Sequence, residues 1–215
     1  MGGQAGVHRL GPVLGMNPVV ESSVRQPRGS GFAPGSRFDL ARFTGRGYDR
    51  GRGVPIQILW LMSRGVWMKW WCPNRIRIGV LRLFGARIAA GAIIRHQVKI
   101  HWPWKLVVGR NSWIGEDVWI LNLDDVWIGS NTCISQGVLL CTGSHDRRSE
   151  TFEFDNAPVV IGDSVWVAAR ATVLRGVHIE DGATVGATTV VAEDVPAGAT
   201  VLTARPQIRW QSRSS

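Results

Sequence analysis

Cysteine is scarce in this chain. Cys72, Cys133 and Cys141 are the only three in 215 residues, too few and too scattered for a disulfide framework or a zinc site. Such usage fits a reducing cytoplasm. A long apolar run is missing too. The most hydrophobic stretch begins at Val54, but Arg64, Gly65 and Lys69 interrupt it, and a membrane span wants roughly 20 mostly apolar residues. No secretory signal is visible, because Val7 to Val20 is broken by His8, Arg9, two prolines and Asn17. Acids are rare at one end: residues 1–85 hold 13 Lys+Arg against 3 Asp+Glu, whereas residues 86–215 hold 12 against 13. The net +9 is therefore +10 from the N-terminal part and −1 from the rest. That split excludes a uniformly basic nucleic-acid binder, and no nucleic-acid partner is expected.

Residues 1–53 are rich in Gly, Arg, Pro and Ser and show no periodicity, which predicts a disordered basic extension. Met16 is a second candidate start. Residues 54–85 differ sharply. A helix is expected from about Pro55, at a favoured first-turn position, to Cys72 ahead of Pro73. A shorter one, around Arg75 to Phe84, should end at Gly85. Trp60, Trp67, Trp70 and Trp71 beside basic residues suit a helix lying in a membrane interface. The alternative is a helical cap over the open end of the next domain. Both hold if different faces are used.

That domain, 86–196, is written in sixes. Its frame positions are Ile88, Ile94, Ile100, Val108, Ile114, Ile120, Ile128, Ile134, Leu140, Ile161, Val167, Val173, Ile179, Val185 and Val191. Four residues after most of them comes another interior residue, such as Val98, Val118, Val138, Ala171 or Ala183. A six-residue period suits neither a lone helix nor a simple strand. It predicts an all-β fold of about five coils, a parallel β-helix in which three hexads close one triangular turn. The frame breaks three times: Ile100 to Val108 and Ile120 to Ile128 are eight apart, and Leu140 to Ile161 is twenty-one. Each break follows a third hexad, so all three insertions leave at one corner. The longest, the 141–160 loop, carries Thr-Gly-Ser-His-Asp at 142–146 and is the expected site of chemistry. By the same corner argument Asn122 and Asp124 are candidates to line a binding pocket beside that loop, and Ser144 within the loop is a further candidate. Residues 197–215 form a C-terminal extension that should cover the last coil or reach a neighbour.

HWPWKL at 101–106, the Ile128-Gly129 hexad, CTGSHD at 141–146 and the IGDSVWVAARATV run resemble the colanic-acid-biosynthesis acetyltransferases, members of the hexapeptide-repeat acyltransferase family. The likeness covers Phe38 to Ile208. It implies a left-handed β-helix and a homotrimer with active sites between subunits. It also implies acetyl-CoA as donor and a sugar or glycolipid hydroxyl as acceptor, in exopolysaccharide or related glycan biosynthesis. The family's catalytic histidine falls on His145. A sugar hydroxyl is a poor nucleophile near neutral pH, so a neutral imidazole within reach would take its proton as it attacks the thioester. Asp146 is a candidate to orient His145. The resemblance puts the oxyanion donor on Ala169 and the coenzyme along Trp166, Ala168, Ala169, Gly186 and Ala187. Where related enzymes read SVVTKD, this chain reads VVAEDV, so Glu193 replaces a lysine. Their GNPA turn appears as Ala204-Arg205-Pro206-Gln207. A phosphate at that edge still needs positive charge, and Arg205 is the candidate.

Two other classes share the fold. A zinc enzyme of the γ-carbonic-anhydrase kind needs three converging histidines, but His145 stands alone in its loop, His96 and His101 lie far back in the first coil, and only His178 falls at the same corner, one coil on, where a surface position is the ordinary reading. No metal is therefore expected. A non-catalytic β-helix scaffold would bind a partner through the Trp-rich segment. The expected compartment is the cytoplasm, with 54–85 able to reach the inner face of the membrane.

Overall fold

The hexads close into a three-sided prism. The computed structural model describes residues 38–204, and within them sixteen short strands, β1 to β16 in chain order, stack into three parallel sheets. The first sheet holds β1 (Arg87–Ile88), β4 (Leu106–Val108), β7 (Val126–Ile128), β10 (Val159–Ile161) and β13 (His178–Ile179). The second holds β2 (Ile93–Ile94), β5 (Trp113–Ile114), β8 (Cys133–Ile134), β11 (Trp166–Val167), β14 (Thr184–Val185) and β16 (Thr200–Val201). The third holds β3 (Lys99–Ile100), β6 (Trp119–Leu121), β9 (Leu139–Cys141), β12 (Thr172–Val173) and β15 (Val190–Val191). Register runs straight up each face, as in Ile94↔Ile114 and Ile114↔Ile134. Five full coils and the start of a sixth result.

All fifteen frame residues point inward, from 0% exposed at Ile94 to 6% at Ile88. Each such burial is worth roughly 1.5–3 kcal/mol, which is what lets so narrow a prism hold a core. The period is six because each hexad spends its remaining residues turning. At the first-to-second corner Asn111, Asn131 and Ser164 take φ of 55°, 54° and 56°; at the second-to-third corner Asp117, Arg170 and Thr188 take 56°, 58° and 59°. Glycine after a frame residue has a steric cause. A Cβ on Gly129 would lie 2.4 Å from the Gly162 carbonyl oxygen of the next coil.

The helices are α1 (Val54–Trp67) and α2 (Asn74–Leu83). α1 is shorter than expected: Arg77 donates to the Trp67 carbonyl at its end, to the Lys69 and Cys72 carbonyls of the turn beyond it, and to the Ile94 carbonyl of β2. α2 ends as its glycine predicts, with Gly85 at φ 99°. Together they close the first coil. Asn74 accepts the Ile94 N–H and donates to the Ala92 carbonyl, Arg82 donates to the Ile88 carbonyl, and the Met68 carbonyl accepts from Gln97. An exposed strand edge thus gains polar partners, while Trp60, Met68, Ile78 and Leu81 extend the core.

The extension departs from expectation in part. Residues 1–37 and 205–215 lie outside the described residues, but 38–53 carry structure, including a 3-10 turn at Leu40–Arg42. They are laid against the 141–160 loop. Composition cannot separate these cases, since Gly45 and Gly47 sit at φ 78° and 81° to serve an ordered path.

Candidate active site

All three insertions leave the corner between the third and first sheets, as their spacing requires. The longest folds back on itself through an antiparallel bridge between His145 and Phe154. Its base is tied by Ser144 N–H to Asn156 Oδ1 at 3.2 Å and by Asp155 N–H to the Ser144 carbonyl at 2.9 Å. An Arg175–Asp155 ion pair ties it to the coil above.

The His145 ring is held on both faces and one edge. It stacks on Phe152 at 4.4 Å and 7° and on Phe154 at 5.1 Å and 22°, with Phe43 edge-on at 5.7 Å. Its Nδ1 lies 2.8 Å from the Phe152 carbonyl oxygen. A carbonyl can only accept, so Nδ1 carries the hydrogen and the neutral ring keeps its lone pair on Nε2. No hydrogen bond to Nε2 is found among the described residues. The ring lines a cleft of about 670 Å³ with Ser144, Asp146, Arg147, Arg148, Phe152, Asp155 and Arg175.

Two expectations need correction here. Asp146 does not orient the imidazole; its Oδ1 accepts the Arg148 N–H at 2.8 Å and shapes the turn, while the Phe152 carbonyl holds the ring. Asn122 is not a pocket residue. It is fully buried, accepts the Trp102 N–H at 3.0 Å, and donates to the Trp102 and Lys105 carbonyls at 2.6 and 3.1 Å. It closes the first two-residue insertion. Asp124 is half-buried, and its Oδ1 accepts the Asp125 N–H at 2.7 Å.

The sequence reading missed the N-terminal clamp. Glu153 lies between the two stacked phenylalanines and receives the Thr44 N–H and hydroxyl at 3.0 and 2.9 Å and the Arg46 N–H at 2.8 Å. Desolvation would raise its pKa, but these hydrogen bonds and one from Thr151 outweigh it and hold the carboxyl at about 2. Gly47 fits the same contact: a Cβ there would meet the Phe154 carbonyl oxygen at 3.1 Å. HWPWKL serves the clamp too. Trp104 Nε1 donates to the Arg50 carbonyl at 2.8 Å, Trp102 Nε1 donates to the Tyr48 hydroxyl, and Lys105 Nζ donates to the Asp49 and Leu123 carbonyls. The alternating Phe-Glu-Phe at 152–154 was the available signal.

The second group of candidates sits at another corner. Trp166, Ala168, Ala169, Gly186 and Ala187 lie at or just before the turns between the second and third sheets. Ala168 N–H pairs with the Val185 carbonyl at 2.8 Å, and the Ala169 carbonyl accepts from Thr188 at 3.0 Å. The N–H groups of Ala169 and Ala187 have no partner among the described residues. Within one chain this group and His145 leave different edges of the prism and do not meet. Arg205 lies outside the described residues. Among the described residues no cluster of three His, Cys, Asp or Glu could hold a metal ion. His178 faces outward from β13, and half-buried His101 meets the Tyr48 hydroxyl, with burial foremost lowering its pKa, helped by Arg64 and Lys105.

Fold and repeat define a hexapeptide transferase: residues 158–193 match the bacterial transferase hexapeptide (six repeats) family. The chain is 40% identical over 163 residues to the Escherichia coli (strain K12) protein WcaF, named as a colanic acid biosynthesis acetyltransferase, covering 74% of this chain and 88% of that one. Two solved structures share the fold. A Vibrio cholerae hexapeptide-repeat acetyltransferase complexed with acetyl coenzyme A has a TM-score of 0.64 at 22% identity, covering 75% and 91% of the two chains. A galactoside acetyltransferase in complex with coenzyme A has 0.64 at 22%, covering 72% and 80%. The chain belongs to the hexapeptide-repeat acetyltransferases, in the family of the colanic acid biosynthesis acetyltransferase.

Proposed function

We propose that this protein is an acetyl-CoA-dependent O-acetyltransferase whose acceptor is a sugar hydroxyl, of the kind modified in exopolysaccharide or related glycan biosynthesis. The observation that carries the reading is the held imidazole: Nδ1–H on the Phe152 carbonyl leaves Nε2 as a base at the edge of an open cleft. His145 Nε2 takes the acceptor's hydroxyl proton as the oxygen bonds to the acetyl carbon. The tetrahedral oxyanion needs a preorganised donor, and the Ala169 N–H, without a partner among the described residues, takes that role. When the carbon–sulfur bond breaks, the imidazolium returns its proton to the leaving thiolate, giving free coenzyme A and the acetyl ester.

His145 and Ala169 stand at different corners, so the reading requires a second copy: His145 of one protomer works beside the Ala169 corner of the next. A cyclic trimer repeats that contact three times. Small residues at 168, 169, 186 and 187 let the pantetheine arm approach the backbone, and Trp166 flanks it. Arg205 is the proposed partner of the 3′-phosphate. The proposed compartment is the cytoplasm, at the inner face of the membrane.

Thiol release from acetyl-CoA, measured across free sugars, nucleotide-linked sugars and glycolipids, tests the reading. At least one sugar acceptor should raise release well above the hydrolysis blank, with one acetyl ester formed per thiol. No acceptor-dependent release with any member of the panel would refute it.

A further inference from the structure

The cap has a face that the β-helix does not use. α1 is inverted relative to an ordinary surface helix: Gln57 and Trp60 are buried against the protein, and the outward arc is apolar. Val54, Ile58, Leu59, Leu61, Met62 and Val66 lie on that arc, between 42% and 78% exposed. α2 repeats the pattern, with Ile76 at 50% and Leu83 at 85%. Trp70 and Trp71, in the turn between the helices, are 79% and 52% exposed. A contiguous apolar surface of this kind marks an interaction site.

Charge identifies the partner. Between Asp49 and Glu116 the sequence has no acid and 12 Lys+Arg. Four of these, Arg52, Arg64, Lys69 and Arg75, are exposed on or next to the two helices and form no ion pair among the described residues. A second copy would bring the same cations to this face, or a body of net −1, and so offers little compensation. An anionic bilayer offers both an apolar layer and headgroup charge. Tryptophan is at home at that boundary. No helix among the described residues is long and apolar enough to cross a membrane, so contact means lying in the interface.

We propose that the outward faces of α1 and α2 form a docking surface that seats the protein on an anionic bilayer. Met62, Leu59 and Val66 enter the acyl boundary while Arg64 and Lys69 stay at headgroup level. The inference deepens the proposed function by giving the enzyme its place of work. It uses none of the catalytic steps, because vesicle binding does not require turnover.

The test uses the full chain and vesicles of phosphatidylcholine with about 30 mol% phosphatidylglycerol, beside vesicles of phosphatidylcholine alone. The protein should sediment with the anionic vesicles at low salt, and less so with neutral ones or at high salt, where surface attraction is screened. Met62→Glu with Val66→Glu, both at exposed positions, should lower partitioning at least ~10-fold, since insertion depends on apolar area. Thiol release with a soluble acceptor should not change. Failure of the wild-type protein to bind anionic vesicles would overturn the proposal. So would equal binding by the double variant. A change of oligomer size in that variant, without a change in vesicle binding, would assign the face to contacts between copies.

Discussion

Replacing His145 by alanine separates the base from everything else that shapes the loop. The imidazole is expected to supply general-base catalysis, typically ~10²–10⁴ in rate, or about 2.7–5.4 kcal/mol of transition-state stabilisation. The structural cost is smaller. Two stacked contacts, with Phe152 and Phe154, are worth about 0.5–1.5 kcal/mol each, and one neutral hydrogen bond about 1 kcal/mol. The loop keeps its other ties: the Arg175–Asp155 pair, the three Glu153 contacts, and Asp146 N–H on the Glu153 carbonyl at 2.8 Å. His145→Ala should therefore lower kcat/KM for acceptor-dependent thiol release by at least ~10²-fold while the protein stays folded and assembled. The assay is thiol release at saturating acetyl-CoA, read beside a thermal melt and a size measurement at the same protein concentration. Turnover within a few-fold of wild type, in a protein that melts normally, would remove His145 as the base.

Two further substitutions test the parts that hold the site. Glu153→Gln replaces an acceptor of three hydrogen bonds by an amide whose NH₂ opposes the Arg46 N–H, so the Thr44 and Arg46 amides should exchange with solvent at least ~10-fold faster at neutral pH. Activity should fall with them. Because the Glu153 pKa is depressed from 4.5 to about 2, the clamp's contribution is complete above about pH 4.5 and is lost as pH falls through about 2; unchanged protection in the variant would sink the clamp. Arg77→Met strands the carbonyls of Trp67, Lys69, Cys72 and Ile94, which should cost about 3–5 kcal/mol of stability. A melt within a degree or two of wild type would show that the α1 terminus does not depend on it.

The prism was legible because its signal is enforced by geometry. In the middle coils each frame residue is enclosed by a coil on either side and by the two other walls, which favours a compact branched apolar side chain, and Ile114, Ile134 and Val167 are all 0% exposed. Counting hexads by threes also places every insertion at one corner, with no side-chain information needed. The clamp was not legible, because it pairs Thr44 and Arg46 with a carboxylate more than a hundred residues away. Two of its three bonds also come from backbone N–H groups, which carry no sequence identity. A glycine-rich stretch with sparse aromatics looks the same whether it is free or docked.

The two misassigned polar residues fail for a shared physical reason. A side chain at an insertion has two claims on it, the ligand and the turn itself. At Asn122 the turn wins outright: one amide side chain accepts the Trp102 N–H, donates to the Lys105 carbonyl, and gives the Trp102 carbonyl a second donor beside the Lys105 N–H. At Asp146 the turn again takes the carboxylate. The histidine's orienting partner was sought next door in sequence, but an antiparallel bridge brings Phe152 to it from seven residues on. One inference the hexad count did contain. His145 follows a third hexad and Ala169 a second, so they stand at different corners whatever the loop does. If both act on one acetyl group, no single chain can be the catalytic unit.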